Sequence, residues 1–273
     1  LNKHYYDLNK PLVNDYEYDQ LKTDILSLEK KYDFLESENS PSKVVGFKPS
    51  KTFKKVFHRV PMLSLSNAFS EEDLINFEKK INNFLDQKSS NQLEYSAEPK
   101  IDGISASLIY KKGKFVIGLS RGDGKEGEDI TQNLLTINDI PKNILAKNFP
   151  KEIEIRGEVF IQNKDFESLK DKFANPRNAA SGSLRQKNPQ DTQKIPLKFI
   201  AYTFGYVNNM EIKNQSNFLH QLSEWGFKIN PFNKTIKGVK NLMKNYKEIE
   251  KKRNEINFDI DGIVYKVNSF DLQ

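Results

Sequence analysis

The sequence predicts an α+β fold with mostly antiparallel sheets and a small helical subdomain at its N-terminal end. Three observations predict it. From about residue 60 onward, strand-like and helix-like stretches mix without βαβ regularity. Strand-like runs at 104–110 and 115–120 are separated only by Lys111-Lys112-Gly113-Lys114, which fits a hairpin. Residues 14–28 carry a different period: behind Asn14 and Asp15, both good N-caps, Tyr18, Leu21, Ile25 and Leu28 recur on one helix face. The expected division is residues 1–50 as helical subdomain and linker, and residues 51–273 as the larger domain.

Taken in order, the helical segment gives way to residues 40–51, where Ser40-Pro41-Ser42 and Pro49-Ser50-Lys51 supply turn formers and basic charge suited to a linker. Residues 93–97 alternate as a strand does, and Pro99, lacking an N–H, suits a strand end or an edge. Asp102-Gly103 reads as the turn that follows. A strand is expected at 154–160. Asn163 is expected to cap a helix running to Phe173. The stretch 173–185 has small residues between Arg177 and Arg185, as a loop entering a tightly packed helix requires. Residues 199–207 read as a strand. Phe218, Leu222 and Trp225 are spaced for a core face, and Gly226 supplies a C′ glycine after Trp225. In the last strand, 258–267, alternation sends Asp261, Ile263 and Tyr265 to one side and Gly262, Val264 and Lys266 to the other.

A chain of 273 residues has room for one large domain plus an appendage. With 37% hydrophobic residues and a net charge of +6, the surface is strongly polar, and the charge suits a nucleic-acid partner as well as a merely lysine-rich protein. There is no cysteine, which excludes disulfides and thiolate zinc sites within this chain. No long apolar run and no signal-peptide pattern is visible, so a cytoplasmic protein without membrane contact is expected. His58 and His220 read as structural.

Chemistry concentrates in five runs. In Glu98-Pro99-Lys100-Ile101-Asp102-Gly103, Lys100 projects from a strand-to-turn junction where a substrate can reach it. A lysine there is ordinary by itself, and it becomes a nucleophile only where burial or neighbouring charge favours the neutral amine. Ser120-Arg121-Gly122-Asp123-Gly124 combines glycines with an arginine able to fork onto phosphate; a bland loop fits equally. Glu154-Ile155-Arg156-Gly157-Glu158 sets a carboxylate among strand formers, either solvated or a ligand for ribose hydroxyls. The two arginines of 173–185 suggest anion binding. Asp261 and Lys266 make Lys266 a candidate inward-facing charge.

With these runs in this order along essentially its whole length, the chain resembles the N-terminal part of bacterial NAD-dependent DNA ligases. The resemblance implies a nucleotidyltransferase domain of the DNA ligase and capping-enzyme type. It implies that Lys100 attacks the α-phosphate of NAD, expels nicotinamide mononucleotide (NMN) and holds AMP as a phosphoramidate. It further implies that Glu98 meets the adenine amino group, Glu158 the ribose and Tyr202 the adenine face. Arg121, Arg177, Arg185 and Lys266 then neighbour phosphates, Asp102 and Asp261 orient the site or a metal, and Ser64 and Leu65 line the nucleotide pocket. Tyr5, Tyr6, Asp15, Tyr18 and Asp19 match the NMN-binding positions. Tyr6 departs from the pattern, since many members carry histidine there. Aromatic rings and carboxylates on one helical turn do suit a pyridinium cation, although an acidic first turn is also favoured by the helix dipole alone.

Magnesium is expected with NAD, manganese is not distinguished from it, and zinc belongs only to a downstream region of the family. The resemblance also implies nicked duplex DNA as partner of the full-length enzyme in replication and repair. For this chain it implies a monomeric fragment that charges itself but seals nicks poorly or not at all. Two other readings stand beside it. An ATP-dependent ligase or capping-type enzyme would share the lysine run but lack the tyrosine-aspartate helix, and a non-catalytic nucleic-acid-binding module has only the basic charge in its favour.

Overall fold

The computed structural model describes residues 13, 15–35, 40, 53–85 and 93–273, with the backbone alone for 15, 16, 18 and 19. The elements begin with helix α1 (Asp15–Lys31), strand β1 (Lys55–Phe57) and helix α2 (Glu71–Phe84), followed by β2 (Glu94–Ile101), β3 (Ile104–Lys111), β4 (Lys114–Ser120) and β5 (Glu126–Glu128). Then come α3 (Thr131–Leu134), β6 (Glu152–Ile161), α4 (Asn163–Phe166), α5 (Pro176–Leu184), α6 (Pro189–Gln193) and β7 (Leu197–Val207). The chain closes with α7 (Gln215–Glu224), β8 (Lys234–Lys237), α8 (Val239–Lys252) and β9 (Ile260–Val267). This is the α+β, antiparallel architecture expected. Among the described residues no helix is long and apolar enough to cross a membrane.

The described residues fall into two compact units, one within Leu1–Ser64 and Leu119–Asp129, the other within Leu65–Gly118 and Ile130–Gln273. In the first, β1 pairs antiparallel with β5, Lys55 opposite Glu128. Helix α1 starts at Asp15, and its Leu21, Ile25 and Leu28 remain exposed. Gly122 has φ 59°, and a Cβ there would sit 1.9 Å from the Glu126 carbonyl oxygen, so this turn admits only glycine.

The second unit holds a three-stranded sheet in the order β8-β2-β9 and a four-stranded sheet in the order β4-β3-β6-β7. Lys112 and Gly113, with φ 49° and 75°, make the two-residue turn between β3 and β4, the left-handed pair that a tight hairpin needs. One core cluster joins the sheets through Ile101, Phe160, Ile200 and Ile260, closed by Ile249 of α8. A second packs Leu74 of α2 and Leu242 of α8 on Tyr95 and Val267. Leu242, Asn245 and Ile249 recur at three- and four-residue spacing, which turns one face of α8 onto the sheet. Phe218, Leu222 and Trp225 are buried, and α7 ends as expected with Trp225 followed by Gly226 at φ 91°.

Two expectations need correction. Of the two placements expected for Pro99, the strand end holds and the edge does not: β2 is central and ends at Ile101, and Pro99 is tolerated because β8 pairs only with Glu94 to Ala97 and has already ended where the missing N–H would be needed. Asn163 does not cap its helix. It is the first helical residue, its amide donates to Asp259 Oδ1 at 3.2 Å, and the α-helix stops at Phe166 before a 3₁₀ turn, Glu167–Leu169.

Candidate functional site

Every second residue of a strand shares a face, so Glu98 and Lys100 of β2 point together. Beside them β9 carries a bulge: Pro99 pairs with Ile263 but Ile101 pairs with Ile260, leaving Asp261 and Gly262 opposite Lys100 alone. The extra residue reverses the alternation. Asp261 Oδ2 thereby meets Lys100 Nζ at 2.6 Å, while Lys266 Nζ meets Glu98 Oε2 at 2.9 Å. Plain alternation had put Asp261 and Lys266 on opposite sides of β9; the bulge brings both to the face that bears Glu98 and Lys100. Gly262, at φ 143°, is the residue that permits it.

At the Lys100 end, the Asp102 carboxylate accepts from Arg177 Nη1 at 2.6 Å, and its backbone N–H donates to the Asp259 carbonyl at 2.9 Å. Arg177 is placed by α5. The Asn175 side chain caps that helix by accepting from the Asn178 N–H at 2.7 Å, Pro176 occupies its first turn, and Ala179, Ala180, Ser181 and Ser183 are small enough to be buried. Arg185 lies at the opposite end of α5, roughly 12 Å along the axis at 1.5 Å per residue. Glu158 of β6 faces Ser105 of β3, whose hydroxyl donates to it at 3.0 Å. Gly103 runs close against this strand: a Cβ there would lie 2.8 Å from Glu158 Cγ and 2.4 Å from the Val159 carbonyl oxygen.

Burial pushes the Glu158 carboxyl up to about 7, against the pull of Arg177, the Ser105 hydroxyl and Lys100, with Asp261 adding to the rise. Asp261 is also raised, first by burial, with Lys100 opposing and the Asp102 charge reinforcing. Three carboxylates and two cations thus share one field.

At the other end Glu98 is buried and takes three donors. Its Oε1 accepts from Ser96 Oγ and Gln215 Nε2, both at 2.9 Å, and its Oε2 takes Lys266. Gln215 and Lys266 also donate to the Tyr202 carbonyl, at 2.6 and 3.3 Å. Lys266 Nζ stands 5.4 Å from the Tyr202 ring centroid. Tyr202 is itself the inserted residue of a bulge in β7, since Arg156 pairs with Thr203 but Gly157 with Ala201. The second unit therefore gathers Glu98, Lys100, Asp102, Glu158, Arg177, Tyr202, Asp261 and Lys266, with Lys266 joined to Glu98 and Tyr202.

In the first unit Arg121 donates to Ser64 Oγ at 3.1 Å and to the Met62 carbonyl at 3.3 Å, and a ring nitrogen of buried His58 lies 3.1 Å from the Arg121 carbonyl oxygen. Leu65, in the second unit, is exposed. His220 is exposed beside Glu224. Tyr5, Tyr6 and the 41–51 linker lie outside the described residues, as do the side chains of Asp15, Tyr18 and Asp19, whose backbone is the first turn of α1. Among the described residues no three His, Asp or Glu side chains cluster as metal ligands. Sequence reasoning did not single out Ser96, Gly103, Ser105 or Gln215. Gly103 was visible as a turn glycine next to the lysine run, but the others depend on partners far away in sequence.

Antiparallel sheets that set a lysine between carboxylates, with a buried glutamate farther along its strand and a tyrosine of the second sheet joined to that glutamate through a second lysine, define a nucleotidyltransferase domain of the DNA ligase type. The family described as NAD-dependent DNA ligase adenylation domain matches residues 50–273, and DNA ligase-like, N-terminal NAD+-binding domain matches residues 1–46. The chain belongs to the NAD-dependent DNA ligase family. It is 72% identical to a DNA ligase of Pelagibacter ubique over 272 residues, covering 100% of this chain and 40% of that protein. With a DNA ligase of Parvibaculum lavamentivorans it shares 46% identity over 280 residues, covering 100% of this chain and 39% of that protein. The chain thus spans about 40% of the length of the curated relatives it matches.

Proposed function

We propose that the chain transfers AMP from NAD to Lys100. The amine, once deprotonated, attacks the α-phosphorus; the P–O bond to the NMN half breaks, NMN leaves with that electron pair, and AMP remains on Nζ as a phosphoramidate. The observation that carries this reading is the Lys100 to Asp261 contact of 2.6 Å within a group that also contains Asp102, Glu158 and Arg177. Asp261, raised by burial, is within hydrogen-bond reach to take the ammonium proton.

Glu98 accepts from the adenine amino group and Tyr202 stacks on the base; Lys266, which the resemblance put beside the phosphates, stands instead at Glu98 and the Tyr202 ring, and donates to the neighbouring ring nitrogen. Glu158 bonds the ribose hydroxyls. Arg177, Arg185 and Arg121 answer the phosphates, with Arg177 held by Asp102. Ser64 and Leu65 line the nucleotide. Residues 1–50 bind the NMN half through Tyr5, Tyr6, Asp15, Tyr18 and Asp19, while residues 51–273 hold AMP. Magnesium fits the site in one respect: Glu158 and Asp261 are both raised, first by burial and then by a neighbouring carboxylate, Asp261 for Glu158 and Asp102 for Asp261, so both would gain from a nearby cation, which would take most of its ligands from phosphate and water. When bound it would neutralise charge developing on the phosphate of the departing NMN. In the whole protein, a cytoplasmic monomer, the charged lysine passes AMP to the 5′-phosphate of nicked duplex DNA.

Intact-mass measurement after incubation with NAD, and separately with ATP, tests the reading. A gain of one AMP with NAD only is expected. No gain with NAD, or an equal gain with ATP, overturns it.

A further inference from the structure

Gln215 opens α7 and is completely buried, yet its side chain serves neither the helix nor the core. Its Nε2 reaches Glu98 Oε1 at 2.9 Å and the Tyr202 carbonyl at 2.6 Å. Lys266 reaches the same two residues from β9, through Glu98 Oε2 at 2.9 Å and the Tyr202 carbonyl at 3.3 Å. Two donors on separate elements therefore tie one carboxylate to one carbonyl, at the bulge that presents the Tyr202 ring. The arrangement leaves Gln215 Oε1 buried without a partner, a cost accepted in order to aim both amide hydrogens at Glu98 and the Tyr202 carbonyl.

The order of charges matters for a purine edge. Adenine offers an amine followed by a bare ring nitrogen, which a carboxylate followed by an ammonium complements. Hypoxanthine offers a carbonyl followed by an N–H, the reverse pattern. Lys266 alone cannot keep the order, because a lysine stem is flexible and follows the carboxylate wherever it turns. Both hydrogens of the Gln215 amide are committed, one to each side of the pair, so the carboxylate is fixed. We infer that Gln215 is a positioning residue that sets the preference for an amino over an oxo group at purine position 6. The inference rests on the function proposed above.

The test uses the full chain and the rate of nucleotide transfer to Lys100 from NAD and from nicotinamide hypoxanthine dinucleotide, read by intact mass. Gln215→Met keeps the volume and removes both donors. It is expected to lower the ratio of kcat/KM for NAD over the hypoxanthine analogue by roughly tenfold or more, chiefly through KM for NAD, because the buried polar groups lose their fixed pattern. Gln215→Asn, which keeps the amide but withdraws its reach, should fall between, and it stands in if the methionine variant does not fold. Leu219→Ala, a cavity in the same helix, should lower Tm with the ratio unchanged. A variant at 215 that charges Lys100 with its ratio within twofold of the parent overturns this inference alone. A parent chain never charged by NAD overturns the proposed function and this inference together.

Discussion

Lys100 Nζ and Asp261 Oδ2 are 2.6 Å apart, and their meeting depends on a single extra residue in β9. The two side chains are 42% and 30% exposed, so the pair contributes at most about 1 kcal/mol to stability. Under the proposed function, a contact so weak would hold the amine in place yet let it go to phosphorus. The Lys266 to Glu98 pair is different. At 20% and 6% exposure it is largely desolvated, and removing one partner would strand the other charge at a cost of roughly 3–5 kcal/mol. One lysine is built to leave its partner and the other to stay.

Lys100→Arg keeps a cation opposite Asp261 but cannot deprotonate near neutral pH. It is expected to fold with unchanged Tm and to carry no AMP after incubation with NAD. Peptide mapping of the charged parent should find AMP on Lys100, and AMP on any other lysine would sink the assignment.

Gly262→Ala isolates the bulge. Nothing lies within 4 Å of a Cβ built there, so the penalty is backbone strain at φ 143°, roughly 1–3 kcal/mol. If the strand relieves that strain by losing the bulge, Asp261 rotates off the Lys100 face. Self-adenylation should then drop further than denaturant stability explains. Loss of stability with full activity per folded molecule would show that the bulge serves the fold only.

What sequence reasoning could see here was local. The Lys100 strand, the hairpin, the small-residue segment entering the helix that bears Arg177 and the Tyr202 strand each follow from residues within a dozen positions. The misses have a common cause. Asp261 and Lys266 were separated because alternation assumes an unbroken register, and a bulge is decided by the partner strand. Pro99 suggested an edge because pairing on each side of a strand ends at its own place. Gln215 gave no signal at all, since its partners, Glu98 and Tyr202, lie 117 and 13 residues away.

Glu158 predicts a pH signature. Its folded pKa of about 7 lies above the ordinary carboxylate value, so the folded state binds the proton more tightly than the unfolded chain does. The stability it contributes is complete below the unfolded value of 4.5 and is lost as pH rises through about 7. Thermal melts of the parent and Glu158→Gln between those limits should show the parent losing stability relative to the variant as pH increases. Parallel curves would mean that Glu158 is not held protonated.

Tyr202→Ala should weaken AMP and NAD binding alike, by the roughly 1–3 kcal/mol that a stacked base contributes. Calorimetry with each ligand separates this from a core role. An unchanged affinity per folded molecule, with only Tm lowered, would place Tyr202 among ordinary packing residues.

The two halves of NAD should be separable by mutation. Asp15, Tyr18 and Asp19 fall within three or four residues of one another at the start of α1. If that turn holds the NMN half, its residues orient the leaving group in line with Lys100, and a small misplacement can slow the step on the order of 10²-fold. Asp19→Ala and Tyr18→Ala should therefore cripple transfer from NAD while AMP affinity barely changes. An acidic first turn is also what the helix dipole favours by itself. Under that alternative the same substitutions would lower helix stability by a fraction of a kcal/mol and leave transfer intact. Equal losses of AMP and NAD affinity in Asp19→Ala, or undiminished charging of Lys100 in a chain lacking residues 1–40, would reduce α1 to an amphipathic helix and remove the support it lends to NAD as the AMP donor.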